Sequence, residues 1–526
     1  MAFTQIPINS KPYKNIDDIL NSNGSSDALI DGFIDEAGFT NKRPGIDSTI
    51  FANLGVDRTV DGLYWWTSRK WLIAVCGGNV YKVTDSQGNF TDITGDTLQT
   101  GVRPTFVDYG DNILITNGGQ MVFTNGSTAS VVLGSDGLNY TCIRSHTSSA
   151  SNAPITGADY ATYWTQSGTG GVAWAAATEY ESILTTYLAD VDAPQNSTHI
   201  GFLDTYVLAN FPGTGDFGYS NVADFKTWDA LDFAVTEGIP DNGVALLVND
   251  GKIYIIGERS IEIFYNDGET PFARLGQSFV DSGCIAKYSA IFIQGMLYYL
   301  DHNRKFVRMN GTVPQTISTP FDRVIQELET VEDAFADYIQ ADGKMFYVVT
   351  FPSENFTLAY DIFSDSWYQW GYWNQNNGSY DRFYPNCYAY CPEWGFHIIG
   401  DRYTGKLYKF GKGYYMDIDN VVRMLKRSGH IDHGTYQTKK SNALLIKAKS
   451  GQLDDAVVSI RWKDNGKNQW SNFHNIPLKD QGDTNFFAKM TRLGMYRSRQ
   501  YEIVHTENAP FSLAGMEEDV EGLIGR

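Results

Sequence analysis

Two of the chain's five cysteines, Cys387 and Cys391, stand four apart in Cys-Tyr-Ala-Tyr-Cys. Thiols at such a spacing can enter a zinc site, but a tetrahedral site needs a second Cys or His pair. The only close histidines, His430 and His433, lie far along the chain. Cys76, Cys142 and Cys284 complete an odd, sparse set, which is not a disulfide framework. Gly213-Thr-Gly-Asp-Phe-Gly218 matches a dinucleotide fingerprint letter for letter. It opens no helix of a βαβ unit, so it reads as a turn between strands. A Gly-x-Ser-x-Gly elbow, a phosphate-binding Gly-Lys-Ser/Thr loop and a His-Glu-x-x-His pair are all missing from the sequence. Glycoside hydrolysis needs two placed carboxylates, and no spacing singles out a pair among 61 acidic residues. The expectation is a non-enzymatic chain with no catalytic, metal or cofactor residues.

The elements that would position any site repeat themselves. Similar stretches start at Trp71, Phe106, Ile200, Val244, Ile291, Ile339 and Tyr388. Each reads as a half-buried strand, a polar turn such as Asn-Asp-Gly, a strand rich in Tyr, Ile and Val, and a third strand. Steps from Ile200 onward are 44, 47, 48 and 49 residues. That period with three or four strands per unit predicts an all-β fold, a β-propeller of six or seven kelch-like blades. One blade cannot bury both its faces, so stacked blades must cover one another. Gly77-Gly78, Gly118-Gly119 and Tyr360-Asp361 followed by Trp367 fit such blades. The many aromatics read first as blade packing.

The pattern breaks at about 145–198, a stretch rich in Ser, Thr, Ala and Gly. The step across it is 94 residues, so it hides either a poorly marked blade or a projecting insertion. Glu179 to Ala189 reads as a helix, and so does Phe321 to Ile339, with Phe321, Val324, Ile325 and Leu328 at helical spacing. The predicted organisation is residues 1–50 as an extension into the propeller, 51–411 as the propeller, and 412–526 as a β-sandwich-like domain. In that last part, Asp464-Asn465-Gly466 with Trp470 looks like the core of one Asp-box, a turn device, with Trp462 where Ser or Thr is usual.

The formal charge is −20, from 41 basic and 61 acidic residues. Such a surface repels nucleic acid and anionic membrane on average. Between Arg423 and Arg499, however, 15 Lys/Arg face 6 Asp/Glu, a net of +9, leaving −29 elsewhere. The basic stretch either takes a polyanionic or acidic partner or packs on its own acidic neighbours. The start, MAFTQIPINS, lacks the basic and apolar regions of a secretory signal, and no run approaches the ~18 apolar residues of a span. The expectation is a soluble chain made in a cytoplasm.

Several stretches together resemble the tail hub, or nozzle, proteins of short-tailed bacteriophages, the packaged-DNA stabilisation family. They are Asn41-Lys-Arg-Pro-Gly-Ile46, Val75-Cys-Gly-Gly-Asn-Val-Tyr-Lys82, Ser260-Ile-Glu-Ile-Phe-Tyr265 within Val244 to Tyr265, and the Phe321 region followed by Phe346 to Trp370. Ile460 to Gly466, Arg492-Leu-Gly494 and Tyr501-Glu-Ile503 extend the likeness to the last part. It covers most of the chain outside 145–198 and carries no catalytic residues over. The resemblance implies a virion tail protein, assembled in the bacterial host cytoplasm as a homo-hexameric ring below the portal and its adaptor. Its partners would be the adaptor, a tail needle or tip, fibres or spikes, and double-stranded DNA in transit, with no membrane insertion. On this reading the acidic propeller lines or flanks the channel, and the basic unit holds an acidic adaptor, needle or neighbouring subunit. The alternative is a carbohydrate-binding or glycan-hydrolysing propeller, in which some of the 32 Tyr and 12 Trp stack on sugar rings.

Overall fold

A computed structural model describes residues 3–9 and 27–522, apart from positions 56, 128, 168, 237, 240, 269–270, 277, 319–320, 450–452, 468, 479, 481 and 483–484. The opening residues 1–2 and most of the stretch before residue 27 lie outside that description.

Consecutive residues explain the architecture. In each blade the second strand is apolar at neighbouring positions, as in Trp71–Cys76, Lys252–Gly257 and Met296–Leu300. Side chains alternate across a strand, so such a run must be covered on both faces. Leu72 and Ile73 enter different cores, as do Ile113 and Leu114, Val207 and Leu208, Ile255 and Ile256, and Leu297 and Tyr298. Phe346 and Tyr347 also split, and so do Ile398 and Ile399. Seven inter-blade cores result, and the last joins Ile398 back to Leu72, so the ring is closed. Burying one such Leu or Ile contributes about 1.5–3 kcal/mol.

The blades are the antiparallel sheets whose innermost strands are Val60–Trp66, Thr105–Tyr109, Ile200–Leu203, Gly243–Asn249, Ile291–Ile293, Phe335–Ala341 and Pro385–Cys391. The outer strand of the seventh blade comes from the other end of the chain: Gly45–Asn53 pairs with Lys406–Gly411. Gly45 has to be glycine, because a Cβ there would sit 2.1 Å from the Met416 carbonyl oxygen.

The long irregular segment is an insertion within the second blade. The third strand is Val122–Thr124, and the fourth, Thr186–Tyr187, pairs with it only after the insertion has been traversed. The insertion folds its own four-stranded sheet around Val132, Tyr140, Cys142, Trp164 and Tyr180. The helix expected at Glu179 to Ala189 does not form. Glu179–Tyr180 and Thr186–Tyr187 are strands, because β-branched and aromatic residues here meet strand partners at His146–Thr147 and Phe123. The expected helix from Phe321 is only Asp322–Glu327. Its predicted second half, Phe335 onward, is the inner strand of the sixth blade, paired with Lys344–Phe351.

The C-terminal part is two facing sheets. One orders Gly32–Ile34, Thr40–Lys42, Ser512–Gly522, Lys439–Lys449 and Asn485–Tyr496, with Phe3–Ile6 also on Ser512–Gly522. The other orders Ala28–Ile30, Met424–Arg427, Arg499–His505, Val457–Asp464 and His474–Pro477. Leu444, Ile446, Val458, Ile460, Ile503 and Met516 share the core between them. The second sheet continues into the sixth blade, where Ile30 pairs in parallel with Gln369. Among the described residues no helix is long and apolar enough to cross a membrane.

Candidate functional site: the axial mouth and the propeller junction

The entering ends of the innermost strands converge on the propeller axis. They line a cavity of about 420 Å3 with Asp61, Arg103, Lys287, Tyr288, Asp333, Arg382 and Asn386 among its walls. Acidic and basic side chains are balanced there: Asp61, Glu332 and Asp333 against Arg103, Lys287 and Arg382. Arg103 pairs with Asp337, donates to the Asn386 carbonyl at 3.0 Å and lies 4.6 Å over the Phe335 ring. It ties the second, sixth and seventh blades together. His199 is buried, stacks on Tyr288 at 5.4 Å and shares a hydrogen bond with the Thr198 hydroxyl. Burial, with Lys287 close by, pushes its imidazole down to about 3.

Asp61 is 3% exposed and, among the described residues, forms no direct ion pair; it accepts the Gly77 and Gly101 amides at 3.2 and 3.3 Å. Burial pushes its carboxyl up to about 6. A raised acid binds its proton more tightly folded than unfolded. Its stabilising contribution is complete below about pH 4 and is lost as pH rises through about 6. Asp61→Asn keeps an acceptor for both amides without the charge. The expected result is a variant about 3 kcal/mol more stable than the parent at neutral pH, converging with it near pH 4. Thermal melts of both proteins across pH 4–7 measure the difference; a constant offset would show that Asp61 is not the titrating group.

The second concentration of charge joins propeller to sandwich. Arg43, fully buried, donates through Nε to Asp31 at 2.7 Å. Its two Nη atoms reach Asp417 at 3.0 and 2.6 Å and the carbonyls of Pro44 and Gly371. Asp31 also accepts the Gly371 amide. One guanidinium thus fixes the turn between the two sandwich sheets, the sixth blade's exit and the strand beside the closing one. In the sandwich itself, Glu518 accepts the hydroxyls of Tyr496 and Tyr501, both at 2.8 Å, with His433 at 3.3 Å.

The residues singled out for chemistry are placed as follows. All five cysteines are buried free thiols. Cys387 donates to the Val60 carbonyl, and burial pushes Cys76 and Cys391 up to about 12. His433 belongs to the Glu518 network, and His430 is exposed on the same segment. Gly213–Gly218 spans the hairpin between Tyr206–Asn210 and Asp216–Asn221. Asp464 pairs with Arg499 at 2.6 Å, and Asn465 caps the Arg497 amide, so this stretch is a turn. Tyr360 packs on Trp367 at 4.9 Å inside the sixth blade, whose Asp361 holds Lys344 at 2.6 Å. Arg402 lies over Tyr372, Tyr384 and Tyr403, 4.7–5.7 Å from the rings. Asp61 and Arg43 were missed as special positions. The available signals were an acid inside an apolar strand, Val60-Asp-Gly-Leu63, and an arginine before Pro-Gly.

The described residues thus form a closed seven-bladed propeller whose sixth and seventh blades share a core with a two-sheet sandwich. The family model described as bacteriophage P22 Gp10, beta-propeller, matches residues 28–413, and the chain belongs to this family of phage tail proteins that stabilise packaged DNA. No curated protein matches. Solved structures with a similar chain course include the computationally designed Ika8 protein, at 11% identity, TM-score 0.34, covering 69% of this chain and 98% of that one. PorZ of the Porphyromonas gingivalis type-IX secretion system is 10% identical at TM-score 0.34, with 72% of this chain and 42% of PorZ covered. A chain from the S. cerevisiae complex of Dbp5, Nup159 and Gle1 is 9% identical at TM-score 0.37, with 73% and 97% covered.

Proposed function

We propose that this chain forms the tail hub or nozzle: a homo-hexameric ring below the portal and adaptor that retains packaged DNA and later passes it. The family match over residues 28–413 carries this reading. The cavity of about 420 Å3 at the inner strands of one propeller is too small to pass a duplex. The DNA channel is then the lumen between copies, flanked by acidic outer surface that does not grip a polyanion. The sandwich and the insertion are the additions available to touch the adaptor, the needle or tip, and fibres or spikes. Assembly takes place in the host cytoplasm and the chain ends in the virion tail.

Electron microscopy of particles assembled without this chain tests the reading. The expected result is empty heads that carry portal and adaptor but end bluntly. Full heads with normal tails would reject the role and favour the glycan-directed alternative.

A further inference from the structure

Among the strands that end the described sheets, two carry exposed apolar residues in surroundings of opposite charge. In the third blade, Asp224–Val235 is the outer strand and pairs only inward, with Asp216–Asn221. Between Trp228 and Phe233 it carries extra residues that bulge away from its neighbour. Leu231 is 80% exposed there, and Phe233 and Val235 follow at alternate positions, also exposed. The Leu231 and Trp228 amides are already taken by Asp229 and Asp190, so what this edge offers another chain is its exposed apolar side chains. The surroundings are acidic: residues 190–250 hold ten Asp/Glu and one Lys, a net of −9.

The sandwich presents the opposite. Asn485–Tyr496 is an edge strand paired only with Lys439–Lys449. Phe487 and Met495 are exposed on it, 56% and 62%, beside exposed Lys489 and Arg492. It lies within the Arg423–Arg499 stretch that nets +9. The two regions do not meet within one chain. The third blade packs on the second and fourth, whereas the sandwich shares its core with the sixth and seventh. Three blade steps of seven, about 150° around the axis, separate them.

We propose that the outer edge of the third blade, Leu231 and Phe233 flanked by Asp229 and Asp232, seats the Phe487–Met495 edge of a second copy of this chain. A patch that meets a different patch on its neighbour is a heterologous contact, and such contacts make a ring when the rotation between copies closes and a filament when it does not. Opposite charges select this register and speed encounter, while the apolar residues are buried in it. The proposal rests on the reading of the chain as a ring-forming tail component, and it names the surfaces that close the ring.

The test uses particles assembled with the chain carrying Leu231→Cys and Phe487→Cys. Every native cysteine is buried, so the new thiols are the exposed ones. Mild oxidation should give a ladder of covalent oligomers from the double variant and monomer from each single variant. Adding Asp229→Lys and Asp232→Lys should cut the ladder about tenfold, and further adding Lys489→Asp and Arg492→Asp should restore it. Dimer alone from Leu231→Cys would mean a two-fold contact and overturn the proposal. Monomer from the double variant, in particles that hold several copies, would overturn the contact and leave the ring reading standing. Particles holding a single copy would overturn both.

Discussion

Arg43→Met is expected to lower the stability of the protein by about 3–5 kcal/mol, the cost of stranding buried charge when one partner of an ion pair is removed. Asp31 and Asp417 are both fully buried, and the Arg43 guanidinium is the cation between them. Methionine fills much of the space but leaves two carboxylates in low dielectric. The effect is one of charge and not of volume. Arg43→Met combined with Asp31→Asn and Asp417→Asn should therefore recover most of the loss. Arg43→Lys should fall between, since a point ammonium cannot make the forked contacts to Asp417. pH supplies a second signature. Burial already pushes Asp31 up to about 6, and losing the cation drives it higher. The variant's stability deficit should shrink as pH falls toward 4, because protonated Asp31 is favoured in the folded state. Denaturant titration of the four proteins at pH 7 and pH 4.5 is the measurement. If the triple variant is no more stable than Arg43→Met, the charge account fails and packing against Phe383, 4.7 Å from the guanidinium, takes its place.

Removing residues 1–54 is expected to have the larger effect still: no cooperative melting transition and loss of soluble protein. The seventh blade would keep three strands, and Lys406–Gly411 would lose its whole outer neighbour. The core between the seventh and first blades would lose Phe51, Ala52 and Leu54. The junction would lose Arg43 and Asp31 together. An opened ring exposes an apolar strand edge, the usual template for aggregation. Supplying residues 27–54 as a separate segment during refolding should restore a cooperative transition. Light scattering and calorimetry measure both results; a soluble, cooperatively melting chain without residues 1–54 would show that the ring does not depend on this closure.

The fold class is legible in local sequence signals. Strands such as Trp71–Cys76 are apolar at successive positions, and only an element covered on both faces by neighbours of its own kind satisfies that. The turn residues between them, Asn-Asp-Gly and its variants, set the repeat at 44–49 residues, so the propeller is legible from local signals. The charge division between the acidic body and the Arg423–Arg499 stretch was equally plain. Tertiary structure alone decided the rest, because it depends on pairings far apart in the chain. Gly45–Asn53 becomes the last strand of the ring only by meeting residues some 360 positions later. The segment after Val122–Thr124 is an insertion, not a blade, because Thr186–Tyr187 returns to the same sheet. Glu179 to Ala189 and the stretch after Phe335 fall in ranges expected to be helical, yet strand partners from elsewhere in the chain draw them into sheets. Arg43 stands in the sequence as one basic residue before a Pro-Gly turn. It is the tie between two domains because folding brings Asp31, Gly371 and Asp417 around it, so that each of its three guanidinium nitrogens finds an acceptor.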